Sequence, residues 1–460
     1  GGLALDAATT ADNNTACGYA SLGGNTSGTL NSSLGAYSLV ANTTGIRNTA
    51  IGYESMSANT TGSHNTAVGT YALMTPTVAN DNTAVGYYAL KANTTGNFNV
   101  GVGNSALVAN TTGAQNTSLG SLSLNANTTA NNNTAVGYRS LWVNTTGSEN
   151  TAVGTYSLDA NTTGASNTGL GHGALTSNTT ANNNTAVGYY CLGLNTTGGN
   201  NTGLGYEALK NNSTGDYNTA VGYFALGSNT TGEYNAAFGN GALDTNTTGD
   251  KNTGLGYYAL TSNTTGHYNT AVGNQALLTS STASHNTAIG HQAMYANTTG
   301  AKNVAVGPNE LENNTTGNYN IAIGFGALTT TTTTDGNTAV GHEALTASTT
   351  AAYNTAIGWK ALTDCTTGDA NTAVGESAGA NITTGEYNVC IGNSSLFTNT
   401  TSNENVAVGY GALYVATSPN NTAVGSNTLV ANTTGRGNTA LGSRALYTNT
   451  TANENTAVGE

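Results

Sequence analysis

The sequence predicts an all-β fold, specifically a β-solenoid (β-roll) built from 17-residue coils. The phrase Asn-Thr-Ala-Val-Gly, or a close variant, returns every seventeen residues from Asn14 to Asn405. After a spacing that is one residue shorter, it returns at Asn421, Asn438 and Asn455. Gly stands four residues after this Asn in every repeat, and a large apolar residue usually precedes the Gly. A short fixed period is typical of repeat architectures, in which each unit packs only on its neighbours.

We number each repeat from its Asn, so that Asn82 is position 1 and Gly86 is position 5 of the repeat 82–98. The period predicts a single continuous array over residues 1–460, with about 27 coils and a one-residue deletion near residues 414–420. The chain begins with the second half of a repeat and ends with the start of another, so both ends are expected to be cut mid-repeat. At the usual strand spacing, this many coils would form a rod roughly 130 Å long.

Each coil is predicted to hold two short β-strands separated by turns. In the segments "NTAV" and "YAL", the character of the side chains alternates over three or four residues, as in a short strand. Both segments are bounded by Gly or by Asn-Thr-Thr-Gly. The invariant Gly86 position indicates a positive φ or a very close approach of another backbone. The second Gly, at position 15, is replaced by Ala130, Ala181 and Ser402, so that turn is expected to tolerate a side chain.

The repeat also predicts which residues face inward. Large aliphatic residues recur at positions 4 and 9, as in Val85 and Leu90, and we expect both to form the core. Asn82 is expected to form an amide ladder with its equivalents in adjacent coils, although a simple turn-forming role is the alternative. Two large aliphatics make a slim core, so we expect the chain to pack on copies of itself, as a homotrimer or an end-to-end filament. The small residues at positions 3 and 8 would allow that close approach.

Charge and composition exclude several classes of partner. The net charge is -13, and the nine Lys and Arg residues are scattered singly. Nucleic-acid binding needs clustered basic residues, and none is present. No apolar run approaches the roughly 18 residues of a membrane span, so membrane insertion is not expected.

No constellation of residues predicts catalysis, a metal or a cofactor. His172, His291 and His342 share position 6, but the nearest two are three coils apart, too far to bind one zinc ion. The four Cys residues occupy different repeat positions, and no carboxylate pair or nucleophile–base pair recurs. We therefore expect that the chain is not an enzyme and has no cofactor.

The Asn-Thr-Thr turn also matches the N-glycosylation pattern, so one interpretation of the turn is that it carries covalently attached glycans. Ordinary turn chemistry is the alternative, because Asn, Thr and Gly all favour turns. The candidate acceptors are Asn42, Asn59, Asn93, Asn110, Asn127, Asn144, Asn161, Asn178, Asn195, Asn229, Asn246, Asn263, Asn297, Asn314, Asn399, Asn432 and Asn449.

Tyrosine recurs at position 6, which predicts an aromatic stripe along the coils. Such a stripe is either a contact surface or a cover formed by stacked rings, and the sequence leaves both open. Its members are Tyr19, Tyr53, Tyr87, Tyr138, Tyr189, Tyr206, Tyr223 and Tyr257.

The segments "NTAVGYYAL" and "NTAIGHQAM" resemble the "S-V-A-I-G-x-x-S/A" core of YadA-like head repeats in trimeric autotransporter adhesins. The array also looks like segments of phage tail-fibre and other surface-fibre proteins. This resemblance implies a left-handed β-roll with three chains side by side, located outside the cell on a cell or virion surface. The expected function is that of a structural fibre or filament segment, a long stiff rod. The alternative is an adhesive head that binds a host or surface through its variable and Tyr positions.

Overall fold

The structure, a computed structural model, describes residues 1–460 as two compact units, Gly1–Glu233 and Tyr234–Glu460. Each unit is an all-β parallel solenoid without helices, and successive strands are seventeen residues apart except at one sixteen-residue step in the second unit. The predicted fold class is therefore confirmed. The left-handed turn implied by the resemblance stays a prediction.

The first unit contains thirteen three-residue strands. Within the unit, consecutive strands pair in parallel and in register, so that Thr83, for example, lies opposite Val100. The strands are β1 Thr15–Cys17, β2 Ser32–Leu34, β3 Thr49–Ile51, β4 Thr66–Val68, β5 Thr83–Val85, β6 Val100–Val102, β7 Thr117–Leu119, β8 Thr134–Val136, β9 Thr151–Val153, β10 Thr168–Leu170, β11 Thr185–Val187, β12 Thr202–Leu204 and β13 Thr219–Val221.

The second unit repeats the same arrangement with fourteen strands. These are β14 Ala236–Phe238, β15 Thr253–Leu255, β16 Thr270–Val272, β17 Thr287–Ile289, β18 Val304–Val306, β19 Ile321–Ile323, β20 Thr338–Val340, β21 Thr355–Ile357, β22 Thr372–Val374, β23 Val389–Ile391, β24 Val406–Val408, β25 Thr422–Val424, β26 Thr439–Leu441 and β27 Thr456–Val458.

Each coil forms one strand, not the two expected, because the "YAL" segment is not extended. Tyr88 and Leu90 have φ values of 59° and 54°, in the left-handed region that L-residues rarely adopt. The segment is nevertheless bonded between coils, since the Leu90 N–H donates to the Ala106 carbonyl at 2.9 Å. The Ala89 N–H also donates to Gly86 within its own coil at 3.3 Å. On this side, each coil therefore forms a turn that is hydrogen-bonded to the equivalent turn of the next coil.

The interior is narrower than expected, and the expectation that position 4 lies in the core is wrong. In a three-residue strand only the middle side chain points inward, so Ala84 is fully buried while Thr83 and Val85 point outward. A Cβ on Gly101, at position 3 of the next coil, would lie 3.2 Å from the Leu90 Cγ. Position 3 therefore has room for little more than a methyl group. The small residues at positions 3 and 8 line the core and do not face a neighbouring chain.

Gly occurs at positions 5 and 15 of the coil for different structural reasons. Gly86 has φ of +132°, and a Cβ there would lie 2.6 Å from the Gly103 carbonyl oxygen in the next coil. Gly96, at position 15, has no positive φ, and Ala130 occupies the same position elsewhere with 2% exposure. A Cβ on Gly96 would meet the Gly113 carbonyl oxygen of the next coil, so space is tight at both corners. Only the first corner also has the positive φ that favours Gly, and the second holds Ala in several coils.

The one-residue deletion lies in the second unit and leaves the strand register intact. Val406 is paired with Thr422, and the Gly425 N–H donates to the Val408 carbonyl at 2.7 Å. The Asn421 N–H still donates to the Asn405 side chain at 3.1 Å. The turn before Asn421 therefore absorbs the missing residue.

Candidate interaction surfaces

The Asn residues at position 1 form a buried amide ladder. The Asn99 N–H donates to Asn82 Oδ1 at 2.9 Å, which links adjacent coils. Asn82 Nδ2 donates to the Gly96 carbonyl at 3.0 Å, which links the strand to the turn of the same coil. Because both ends of the amide are used inside the coil, position 1 is a structural position and offers nothing to a ligand.

A second amide ladder runs along position 12. Asn110 Nδ2 donates to Asn93 Oδ1 at 2.9 Å, and Asn93 Nδ2 donates to the Gly96 carbonyl at 2.9 Å. The Gly96 carbonyl thus accepts one amide from each ladder. Two parallel rows of hydrogen-bonded amides replace much of the apolar core that a wider coil would have. The position-12 row is interrupted where the next coil lacks Asn, and there the Oδ1 atoms of Asn59, Asn263 and Asn314 have no partner.

This second ladder contains the candidate glycosylation sites, and their burial contradicts that hypothesis for the folded coil. A glycan would have to be attached to Nδ2, which lies inside and is hydrogen-bonded. Sixteen of the seventeen candidates have 0% exposure, and only Asn449 is partly exposed; the buried ones are Asn42, Asn59, Asn93, Asn110, Asn127, Asn144, Asn161, Asn178, Asn195, Asn229, Asn246, Asn263, Asn297, Asn314, Asn399 and Asn432.

The outward side chains at positions 2 and 4 form what we call the strand face. Position 2 is mainly Thr, and position 4 is Val, Ile or Leu except for Cys17 and Phe238. The larger position-4 side chains of the first unit are exposed, from 39% for Ile51 to 51% for Leu34. No Asp, Glu, Lys, Arg or His occurs at position 2 or 4 of any strand. The strand face is therefore an uncharged, largely apolar surface.

Charged residues are confined to other parts of the coil. Beyond residue 14, every Asp, Glu, Lys and Arg lies at position 6, 7, 8, 10, 11, 16 or 17. The chain therefore carries its charge of -13 entirely away from the strand face.

Aromatic rings at positions 6 and 7 form a second surface, which we call the aromatic track. In the first unit it begins with Tyr19, Tyr37, Tyr53 and Tyr71, whose successive ring centroids lie 5.4, 6.2 and 5.6 Å apart. A further run leads from Tyr138 to Phe224. Tyr19, Tyr37 and Tyr53 are 39% to 51% exposed, so the rings contact each other and also remain open to solvent.

One buried carboxylate was not anticipated from the sequence. Glu310 replaces the usual small residue at position 8 and has 0% exposure. Its Oε2 accepts a hydrogen bond from the Ala327 N–H at 2.8 Å, while its Oε1 has no partner. Burial raises the pKa of Glu310 to about 8, against the lowering effect of the Ala327 and Gly326 amides.

Other titratable side chains are dispersed. The four cysteines are free thiols, of which Cys191, Cys365 and Cys390 are buried. No group of three or more His, Cys, Asp or Glu side chains lies close enough to hold a metal ion. No helix is present that could cross a bilayer.

Comparison with protein-family models gives no match, and no curated protein matches the chain either. The strand face and the aromatic track are the two exposed surfaces that recur along the coils.

Proposed function

We propose that this chain is a structural, extracellular fibre or filament segment whose copies pack together through the strand face. One observation carries the proposal: positions 2 and 4 stay uncharged in all 27 strands although they point outward. The resemblance to surface-fibre repeats supports the extracellular location on a cell or virion.

The chemistry of parallel sheets supports a covered strand face. In α/β proteins both faces of a parallel sheet are covered, because the crossover connections place helices on them. This chain has no helices, so nothing within the coil covers the strand face. Here one face lies on the coil's own interior, with Ala84 and Leu90 at 0% exposure, and the other carries Val85 outward. Monomeric proteins rarely expose a contiguous apolar patch of more than a few hundred Å².

The size of the strand face suits a stable interface. The thirteen strands of the first unit, about 10 Å wide and about 4.8 Å apart, give a footprint of roughly 600 Å². Side chains protrude, so the accessible area exceeds this footprint and approaches the about 800 Å² per partner of a standard interface. The second unit offers a similar face of its own.

A second copy is the partner that fits this surface best. The face repeats once per coil, and only a surface with the same repeat can interdigitate with every row. A second copy of the chain has the same sequence and therefore the same repeat. Interdigitated packing of Val85 and its equivalents would resemble the dry contact between paired sheets.

Sedimentation of the full chain tests this proposal. We expect the wild type to associate and the triple variant Val68→Lys, Val85→Lys, Val102→Lys to be monomeric, because three charges would be buried without partners. The matched control is Thr95→Lys, Thr112→Lys, Thr129→Lys, on exposed position-14 side chains in the same region. Circular dichroism checks that all three proteins are folded.

The masses also distinguish packing through the strand face from end-to-end stacking. A single species of three times the chain mass, lost in the Val→Lys variant, indicates a homotrimer packed through the strand face. A concentration-dependent series that persists in the Val→Lys variant indicates an end-to-end filament, which does not use the strand face, and would overturn the proposal. A monomeric wild type, or equal loss of association in both triple variants, would overturn the role of the strand face.

An adhesive head is the second candidate, and the exposed aromatic track is the observation that favours it. Exposed rings in a contiguous row are typical of contact surfaces. If the chain is an adhesin, a bound surface component will be lost after replacing position-6 tyrosines such as Tyr19, Tyr53 and Tyr87 by Ala. Association of the chain with itself would be unchanged, because these residues lie outside the strand face.

A further inference from the structure

The aromatic track contains a groove that differs from its other parts. The groove has a volume of about 600 Å³ and is lined by Tyr37, Tyr53 and Glu54, with Val40 and Ser57 among its remaining residues. The two rings meet edge to face with centroids 6.2 Å apart. It therefore combines aromatic walls, an apolar patch and one carboxylate.

The same location in other coils is filled by the chain's own cations. At position 10, Lys91 places its Nζ 4.3 Å from the ring centroid of Tyr88, at position 7 of the same coil. Lys210, also at position 10, contacts the Glu207 carboxylate at position 7 over 2.9 Å. A position-7 ring or carboxylate is thus a cation acceptor, and a position-10 Lys supplies the cation.

The groove has both kinds of acceptor and no cation. Tyr37 and Glu54 stand at position 7 of consecutive coils, but their position-10 residues are Val40 and Ser57. No Lys, Arg or His forms an ion pair with Glu54. The short Ser57 side chain leaves the space that a Lys side chain takes in the two filled coils.

Lysine and arginine pack on rings elsewhere along the chain, which shows that these surfaces suit positive groups. Arg139 lies 3.6 Å from the Trp142 ring centroid and pairs with Asp159 at 3.0 Å. The roles of the two positions are exchanged here, since Arg139 stands at position 7 and the ring and carboxylate stand at position 10 of consecutive coils. This third filled location unites a ring and a carboxylate around one cation, as the groove would.

We propose that the groove formed by Tyr37, Tyr53 and Glu54 binds an alkylammonium group supplied from outside the chain. The ring faces attract the cation, and the apolar patch contacts its methyl or methylene groups. The carboxylate provides the opposite charge, and the net charge of -13 favours the approach of cations in general. Hydrogen bonding to Glu54 raises the pKa of Tyr53 to about 12, which adds to the tendency of a tyrosine to be a neutral phenol at physiological pH.

This site is independent of the proposed fibre packing. The groove uses positions 6, 7 and 10, whereas the strand face uses positions 2 and 4. Loss of alkylammonium binding would leave the fibre proposal intact, and a monomeric chain would still contain the groove.

Titration with tetramethylammonium chloride, followed by saturation-transfer NMR on its methyl signal, tests the proposal. We expect saturable binding to the full chain. Ser57→Lys should weaken it by about tenfold or more, because the new side chain occupies the groove as Lys91 occupies its own. Glu54→Gln should weaken it by about threefold through loss of the charge.

Thr95→Lys is the matched control, since it adds the same charge at an exposed position away from the groove. Its affinity should stay within about twofold of the wild type, which is the effect expected of a screened distant charge. Absence of saturable binding, or an equal effect of Ser57→Lys and Thr95→Lys, would overturn the site.

Competition identifies the carrier of the alkylammonium group. One arm uses a peptide containing trimethyl-lysine, and the other uses phosphatidylcholine vesicles. Displacement of tetramethylammonium by either, abolished in Ser57→Lys, supports the site and names the carrier as protein or lipid. Displacement by neither would overturn a role in recognising such partners.

Discussion

The backbone N–H of Asn99 donates a hydrogen bond of 2.9 Å to the side-chain oxygen of Asn82, one coil earlier. The nitrogen of the same Asn82 amide donates to Gly96, at the far turn of its own coil. One side chain therefore connects the stacking direction with the closure of the coil. This dual role explains why Asn occupies position 1 in every repeat of the chain.

Asn82→Ala should destabilise its coil by about 2–4 kcal/mol, because it leaves the buried Asn99 N–H without an acceptor and creates a small cavity. Hydrogen exchange of the amides in the coils around residue 82 measures the effect locally, which suits a repeat protein that need not unfold in one step. Thr95→Ala, at an exposed position, should change exchange by less than about 0.5 kcal/mol. Similar effects of both substitutions would contradict the ladder's importance.

Gly86→Ala should destabilise by roughly 3 kcal/mol or more, because the added methyl group meets the Gly103 carbonyl and φ is +132°. Gly96→Ala should cost less, about 1–2 kcal/mol, because its φ is ordinary and Ala130 occupies the same position, although the added methyl group also meets the Gly113 carbonyl. Thermal denaturation of the two variants provides the comparison. Equal destabilisation would show that the two corners are alike.

A compensated defect in the second unit yields a third prediction. Gly379 replaces the core Leu of position 9, and Ile382 replaces the Asn of position 12 in the same coil. A Cβ on Gly379 would lie 2.9 Å from the Ile382 Cδ1 and 3.1 Å from the Leu362 Cδ2. Ile382 therefore fills the space that the missing Leu leaves.

Restoring the usual residue at only one of these positions, Leu at position 9 or Asn at position 12, should destabilise the coil. Ile382→Asn should cost about 2–4 kcal/mol through the cavity, and Gly379→Leu should cost about 1–3 kcal/mol through overpacking. The double variant should recover most of the loss. A double-mutant cycle by hydrogen exchange measures the coupling, and additive effects would rule out the compensation.

Glu310 predicts a pH-dependent weak point. Burial raises its pKa from 4.5 to about 8, so between these values the folded chain holds a proton that the unfolded chain releases. Its contribution to stability is therefore fully present below pH 4.5, falls as the pH rises to about 8 and is lost above that. Glu310→Gln should remove this dependence and stabilise the local coils by roughly 1–3 kcal/mol at alkaline pH.

Hydrogen exchange at Ala327, whose N–H donates to Glu310, is the readout for this variant. The difference between wild type and variant should grow from about pH 5 to about pH 8. A difference that does not change with pH would show that Glu310 titrates normally.

Burial of the position-12 amides predicts that the folded chain resists N-glycosylation. Treatment of the folded protein with an oligosaccharyltransferase should leave Asn93 unmodified, because its Nδ2 is inside and hydrogen-bonded. The partly exposed Asn449 is the one candidate expected to react. A synthetic peptide of residues 91–97 is the control for acceptor activity, and modification of Asn93 in the folded protein would contradict the buried ladder.

The sequence predicted the coil length and the fold class because both follow from the spacing of Asn and Gly alone. It did not predict the direction of Val85, because an apolar residue in a short strand suits a core and an interface equally well. The prediction of a second strand was wrong because nothing in the sequence marks the left-handed backbone conformation of Tyr88 and Leu90. Both residue types ordinarily favour strands or helices.

The interior location of position 12 did leave a signal in the sequence. Cys365, Ile382 and Ala416 replace Asn at this position, and such exchanges suit a buried site better than a solvent-exposed turn. The groove at Tyr37 and Glu54 could not be predicted, because it depends on which side chains of consecutive coils lie beside each other.

The association of copies through the strand face is tested most directly by a cryo-EM reconstruction of the associated chain without imposed symmetry. We predict that the strand faces of neighbouring copies oppose each other at a sheet separation of about 10 Å, with Val85 and its equivalents interdigitated. A reconstruction in which Val85 faces solvent, in a single chain or in an assembly held by other surfaces, would contradict it.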